Sequence, residues 1–199
     1  MSKKNKTAEA GGSGVTQEAY YGPSGQPMDF GLSDEQILIV GKIALNWGRA
    51  EFFTGSALVT ALGPAAEEYQ ITLQSLDMAK KVPMLNDLRR KGKIPENCEG
   101  HISALVYATN NFRSGRNIFA HGGAVTTPAG QVIMTGKGQT LHTDDLPLAL
   151  AQSQYALAAA LWLPSGVQGH PQPWPLPRKP GRLPARSGLG SLLENDQQG

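Results

Sequence analysis

Three residues that could do chemistry lie together in the stretch "SGRNIFAHGG", residues 114–123: Arg116, Asn117 and His121. An arginine can hold a phosphate, a histidine can move a proton near neutral pH, and an asparagine can orient that histidine. These groups would suffice to cleave RNA without a metal. The ribose 2′-OH would attack the adjacent phosphate, Arg116 would stabilise the developing charge, and His121 would act as base or acid.

The helical pattern before the two glycines places Arg116 on an otherwise apolar stripe. Wound at 3.6 residues per turn, this stripe contains Ile102, Leu105, Thr109, Phe112, Arg116 and Phe119. A guanidinium there must reach water along its stem or meet an anion. Glu51 is misplaced in the same way on the apolar seam of an earlier helix, so we expect Glu51 and Arg116 to face each other, directly or through water. Such a pair is either structural or an accessory part of the site.

"RNIFAH" resembles the Arg-x4-6-His motif of the HEPN (higher eukaryotes and prokaryotes nucleotide-binding) superfamily, in the variant with Asn directly after Arg. A long first helix carrying "W..AE" (Trp47, Ala50 and Glu51) agrees with this resemblance, which covers about residues 32–123. It implies a metal-independent endoribonuclease of a toxin–antitoxin or phage-defence system, without cofactor or metal. Arg116 and His121 would be catalytic, Asn117 would support them, and Glu51 would be accessory.

The same resemblance implies partners and an alternative. The catalytic residues of two protomers would meet in the cleft of a homodimer, and an antitoxin or other protein could bind the enzyme. The superfamily also contains proteins that are not enzymes. The chain could therefore be a non-catalytic module for nucleotide binding or protein assembly.

A basic stretch, "KKVPMLNDLRRKGK", precedes the motif helix and holds six basic residues against one acidic residue. Its second half, together with a basic residue near the motif, could contact an RNA backbone, and a solvated helix face is the alternative. The candidate RNA contacts are Arg89, Arg90, Lys91, Lys93 and Arg113.

The chain offers little for metal binding, and its cysteine content suits a reducing cytoplasm. Cys98 is the only cysteine, so the chain can form no internal disulfide. His101 and His142 have no ligand-spaced partners and are interpreted as surface residues.

Helical periodicity and turn residues predict an all-α bundle of four to five helices with a small β-hairpin or three-stranded flap at about residues 124–142. The first helix begins at a capping box formed by Ser33 and Gln36 and ends at Gly63. Its inner seam is predicted at Ile37, Val40, Ala44, Trp47, Glu51, Thr54 and Leu58. The remaining helices are predicted over 65–81, 83–91, 98–121 (capped by Asn97) and 144–163, and the flap strands over 123–128, 131–136 and 139–143.

Composition predicts that only residues 29–163 fold. Residues 1–28 are poor in branched apolar side chains, and residues 164–199 are rich in proline and glycine, so both are predicted to be disordered tails. "PQPWPLPRKP" in the second tail could instead dock in the groove of a partner. The folded part holds eleven Lys/Arg and twelve Asp/Glu, which excludes binding of nucleic acid by bulk charge.

Gln152 to Tyr155 interrupt the most apolar stretch, which favours a bundle helix over a membrane span.

Overall fold

A computed structural model of the chain describes residues 31–184 apart from 122, 127–130 and 137–138. For residues 65, 67, 113–117, 119–121, 125, 135, 136 and 139 it describes the backbone alone. The predicted tails at 1–28 and 185–199 lie outside the described residues. The predicted tail at 164–184 lies within them.

The described residues form a bundle of five α-helices and one small antiparallel sheet, as the sequence predicts. The strands follow one another in the order β1-β2-β3. The elements are α1 (Asp34–Leu62), α2 (Gln70–Ser75), α3 (Met78–Arg90), α4 (Glu99–His121), β1 (Gly123–Thr126), β2 (Val132–Gly136), β3 (Gln139–His142) and α5 (Leu146–Val167). Short 3-10 segments precede α2, α4 and α5.

The predicted start of α1 is confirmed. The Ser33 hydroxyl accepts the Gln36 N–H at 3.2 Å, and the Ser33 N–H donates to Gln36 Oε1 at 2.9 Å. These bonds satisfy two amide groups that a helix start would leave without partners. The helix ends before Gly63, whose φ of +69° favours glycine.

The inner seam of α1 is only partly as predicted. Trp47, Thr54 and Leu58 are buried, but Ile37 and Ala44 are exposed, and Ile43 and Ala50 are buried in their place. The reason is the position of α5, which packs along most of α1. Asn46 Nδ2 donates to Ser153 Oγ of α5 at 3.2 Å, which turns the side around Ile43 and Ala50 toward α5.

The predicted boundary between the second and third helices is wrong. The chain breaks between α2 and α3, and Asp77 caps α3 by accepting the Lys80 N–H at 3.0 Å. Pro83, predicted to open a helix, lies inside α3. A side-chain cap at Asp77 sets the helix start five residues before the proline, which removes only one backbone hydrogen bond there.

The predicted end of α3 at Gly92 is confirmed. Gly92 has a φ of +66°, its N–H donates to Arg89 O, and the Lys93 N–H donates to Leu88 O, both at 2.9 Å. This pair of bonds is a Schellman motif. It turns the chain toward the start of α4.

The helix α5 does not stop at Pro164 as predicted but continues to Val167. A second Schellman motif ends it: Gly169 has a φ of +92°, its N–H donates to Gly166 O at 3.0 Å, and the His170 N–H donates to Ser165 O at 3.2 Å. The segment Thr143–Val167 is long and apolar enough to cross a bilayer, yet 56% of its most apolar window is buried inside the fold. That burial is typical of the core helix of a soluble protein.

Residues 170–184, called the C-terminal strap here, lie along the bundle without regular secondary structure. Asn97, predicted to cap α4, instead donates through Nδ2 to His170 O at 2.9 Å. The Tyr107 hydroxyl donates to Pro180 O at 2.7 Å, and Lys179 Nζ lies 3.8 Å from the centre of the Tyr107 ring. Gln152 Nε2 also donates to Gly181 O. These contacts contradict the prediction of a disordered tail for the part of it that is described.

Candidate functional site

The motif residues lie in the last two turns of α4, which runs without a break to His121 and leads into β1 at Gly123. Over five residues a regular helix advances about 7.5 Å and rotates about 140°. Positions 116 and 121 therefore fall on different sides of the α4 backbone. The side chains of Arg113, Arg116, Asn117 and His121 lie outside the described residues, so the contact between Glu51 and Arg116 stays a prediction.

Glu51 is half-buried, and its carboxylate has a structural partner. Glu51 Oε1 accepts the N–H of Met78, the first residue of α3, at 3.0 Å. The first N–H groups of a helix have no partner within it, and the positive end of the helix dipole favours a negative charge there. Glu51 thus stabilises the start of α3.

Lys81 is almost fully buried beside Glu51, with 1% of its surface exposed. Its Nζ donates to two backbone carbonyls, Glu51 O at 3.0 Å and Gln74 O at 2.8 Å. Together Glu51, Gln74, Met78 and Lys81 form what we call the α3 junction, which joins α1, α2 and α3. The interpretation of the basic stretch as a solvated face is wrong at Lys81.

Sequence reasoning missed Lys81, although a signal was present. Met78, Lys81, Val82 and Leu85 are all buried and follow one another in steps of three, one and three residues. A helix starting at Met78 would therefore have placed Lys81 on the buried face. The signal was hidden because the helix start was predicted at Pro83.

The structure does not bring the basic stretch to the motif. Arg89 Nη1 contacts Glu99 Oε1 at 2.7 Å, and its Nε donates to Asn86 Oδ1 at 3.2 Å. Glu99 is the first residue of α4, and Arg116 follows seventeen residues later, about 25 Å along a regular helix. Three of the predicted RNA contacts are exposed at this distant end: Arg90, Lys91 and Lys93.

A groove of about 370 Å³ lies between α3 and α4. We call it the α3–α4 groove; its apolar lining includes Val82, Pro83 and Val106, and its polar lining is Asn86, Thr109 and Asn110. The order of these contacts along the two helices, with Arg89 opposite Glu99, shows that α3 and α4 run antiparallel. The groove therefore runs along the middle of α4, between the contact of Arg89 with Glu99 and the motif.

Thr109 is unusual among the helical threonines. It is 7% exposed, and its hydroxyl oxygen forms no hydrogen bond with any described residue. Thr54 and Thr60 in α1 instead donate to the carbonyls of Ala50 and Ser56, four residues earlier, at 2.7 and 2.9 Å. A helical threonine usually satisfies its hydroxyl in this way.

His101 is not a surface residue as predicted but is 3% exposed, with its ring centre 4.8 Å from that of Trp162. Burial lowers the pKa of His101, and a hydrogen bond to the Trp174 backbone raises it in part. Trp162 and Trp174 line a separate cavity of about 380 Å³ under the strap.

The side chains that could bind a metal are dispersed. Burial raises the pKa of the Cys98 thiol to about 11, so this thiol stays protonated at neutral pH. Among the described residues, no group of three or more His, Cys, Asp or Glu side chains could hold a metal ion.

In structural terms the protein is a bundle of five helices with a three-stranded flap, and its Arg-Asn and His motif residues lie at the end of a helix. No family model, no curated protein and no solved structure is significantly similar to the chain. The functional interpretation therefore depends on the chemistry of the residues.

Proposed function

We propose that the protein is a metal-independent endoribonuclease of the HEPN kind, active as a cytoplasmic homodimer in a toxin–antitoxin or phage-defence system. The observation that supports it is the placement of "RNIFAH" in the last two turns of an unbroken α4. Carbonyl groups without helical partners make this end of the helix negative. A positively charged His121 is favoured there.

The proposed reaction needs two proton transfers. A His121 imidazole takes the proton of the ribose 2′-OH, and the resulting oxygen attacks the adjacent phosphorus. The bond from phosphorus to the 5′-oxygen breaks, and that oxygen receives a proton from a second His121 in its charged form. Arg116 stabilises the phosphate charge, and Asn117 orients His121. The products are a 2′,3′-cyclic phosphate and a 5′-hydroxyl.

Two features support a second copy of the chain. Arg116 and His121 lie about 140° apart around α4, so two copies would supply a complete set of groups more readily than one. On α1, Leu38, Leu45 and Phe52 recur every seven residues and are 57%, 59% and 57% exposed. Apolar rows of this kind favour self-association. Light scattering of the purified chain should give the mass of a dimer, and a monomer at all concentrations would contradict this.

RNA cleavage in the presence of EDTA tests the reaction directly. Wild-type protein should cut single-stranded RNA and leave cyclic phosphate ends, and His121→Ala should remove the cleavage. His142→Ala is the matched control, because His142 lies on β3 outside the motif. Cleavage that persists in His121→Ala would overturn the mechanism.

Growth provides a second test. The wild-type chain expressed alone should arrest growth, and a co-expressed antitoxin should restore it. His121→Ala should be harmless at the same expression level. Equal toxicity of the two chains would show that cleavage is not the cause.

The alternative is a non-catalytic module that binds a nucleotide or assembles with another protein. It is favoured by one observation: Glu51 and Arg89, both predicted site residues, have structural partners in Met78 and Glu99. In that case no RNA is cleaved under any condition, and Glu51→Ala lowers only the melting temperature.

A further inference from the structure

We propose that the C-terminal strap is a binding surface for single-stranded RNA, on which Trp174 stacks against a base while Arg178, Lys179 and Arg182 contact the phosphates. The use of this surface in cleavage rests on the proposed function. RNA binding itself can be tested without cleavage.

The strap is fixed to the bundle largely through its backbone. Three of its carbonyl groups, those of His170, Pro180 and Gly181, accept hydrogen bonds from side chains of the bundle. The backbone of Trp174 bonds to His101. Most strap side chains are therefore left for other contacts, on a surface that needs little ordering when a ligand binds.

The positive charge of the strap is not neutralised by the surface beneath it. Residues 170–184 contain three Lys/Arg and no Asp or Glu. Neither α5 nor the middle of α4, residues 100–112, contains any Asp, Glu, Lys or Arg. Arg178, Lys179 and Arg182 are exposed, and none of them forms an ion pair with a described residue. A chain of phosphates supplies the negative charge that this surface lacks.

An exposed aromatic side chain precedes these cations. Trp174 is 56% exposed, and the cavity of about 380 Å³ beside it, which Trp162 and Gln172 also line, leaves room for a base next to the indole. Arg178 follows four residues later, about 12 Å along an extended proline-rich segment, so one strand can reach both side chains. Proteins that bind single-stranded nucleic acid combine stacking aromatic side chains with cations along the backbone in this way.

The direction of the strap relates it to the motif. The strap meets Asn97 first, then His101 and then Tyr107, so it runs in the same direction as α4. Gly181 lies beside Leu148 in the first turn of α5, the helix that follows the flap. The motif begins nine residues after Tyr107, about 14 Å along α4. A strand that follows the strap is thus directed toward the motif end of α4.

Binding of a short fluorescent oligouridine to the full-length His121→Ala chain tests the cations, because this variant should not cut the RNA. Fluorescence anisotropy at several salt concentrations measures the affinity. Arg178→Gln/Arg182→Gln should weaken binding by about fivefold or more and reduce the slope of log affinity against log salt by about 1.4. Lys179 is kept in this variant because its contact with the Tyr107 ring helps to fix the strap.

Arg90→Gln/Lys91→Gln is the matched control. It removes the same charge from exposed positions at the distant end of α3 and should change the affinity by less than about twofold. Equal melting temperatures of the two double variants would show that both keep the fold. Equal weakening by both would overturn the proposal, because net charge alone would then explain the binding.

Two variants of Trp174 in the same background test the stacking. Trp174→Ala should weaken binding by about fivefold or more, and Trp174→Phe should keep most of the affinity because it retains an aromatic ring. Two results would overturn the proposal: the absence of oligouridine binding, and equal affinities of Trp174→Ala and its parent. The second would show that the strap is an unspecific anion surface.

Cleavage by the chain with His121 intact tests the role of the strap in the reaction. The strap variants should raise KM and leave kcat unchanged, because the strap contacts the RNA away from the reacting atoms. RNA binding without any cleavage would refute the proposed nuclease and leave the binding surface intact. Cleavage with an unchanged KM in the strap variants would refute the surface and leave the nuclease intact.

Discussion

Two regions along α3 bring polar groups into the interior in opposite ways. At the α3 junction, the Lys81 ammonium donates to two carbonyls and the Glu51 carboxylate accepts the Met78 N–H. In the α3–α4 groove, the Thr109 hydroxyl has no partner among the described residues. Satisfied buried polar groups hold helices together, whereas a buried hydroxyl without a partner contributes no hydrogen bond to stability. Substitutions should therefore lower the stability at the α3 junction and leave it nearly unchanged at Thr109.

Lys81→Met should have the largest effect on stability. It leaves Glu51 O and Gln74 O without the buried ammonium, and each such loss costs about 1–3 kcal/mol, so we expect a decrease of about 3 kcal/mol in the free energy of unfolding. Urea unfolding measures it. Lys80→Met is the control, because Lys80 is the exposed neighbour. Equal stability of the two variants would contradict a structural role of the α3 junction.

Glu51→Gln should have a smaller effect, because glutamine keeps an oxygen for the Met78 N–H and removes only the charge. The lost interaction with the helix dipole is worth about 1 kcal/mol, which urea unfolding should detect. RNA cleavage should not change. Glu68→Gln, at an exposed position in the connection before α2, should alter neither quantity. A loss of cleavage in Glu51→Gln at unchanged stability would instead make Glu51 an accessory part of the nuclease site.

The two buried threonines compare the regions most directly. Thr54→Val removes the hydrogen bond to Ala50 O and should lower the free energy of unfolding by about 1 kcal/mol. Thr109→Val replaces an unpartnered hydroxyl by a methyl group, so stability should stay the same or rise by up to about 1 kcal/mol. Urea unfolding of both variants decides this. Equal losses would mean that the Thr109 hydroxyl is already satisfied in solution.

Local signals predicted the features that depend on neighbouring residues. The capping box at Ser33, the turn at Gly92 and the three strands of the flap were all evident from short patterns. The same is true of the motif, because a continuous helix up to His121 needs only helical periodicity and the glycines after it. Its position at the end of α4 therefore required no tertiary information.

Long-range contacts explain what the sequence did not predict. The strap lies on the bundle through bonds such as the one from Tyr107 to Pro180, between residues 73 positions apart, and no local pattern in a proline-rich segment indicates such a partner. The surroundings of Thr109 were hidden for a similar reason. Thr109 is on the predicted apolar stripe, but only the position of α3 shows that it lines an open groove.

His101 has one satisfied and one unsatisfied group, so it shares a property with each of the two regions. Its ring bonds to the Trp174 backbone, while Nε2 has no partner among the described residues. Burial lowers its pKa below the value of about 6.5 expected in the unfolded chain. Between these two pKa values the unfolded chain binds more protons than the folded one. The contribution of neutral His101 is thus complete above pH of about 6.5 and decreases as the pH falls below it.

Urea unfolding at several pH values between about 7.5 and 5.5 measures this contribution as a slope. The free energy of unfolding of the wild-type chain should fall with decreasing pH by the equivalent of less than one proton. His101→Gln, which does not titrate, should reduce that slope. His170→Gln should leave it unchanged, since His170 is exposed and contacts Asn97 only through its backbone carbonyl. If both variants keep the wild-type slope, His101 is satisfied in both protonation states and resembles the α3 junction more than the groove.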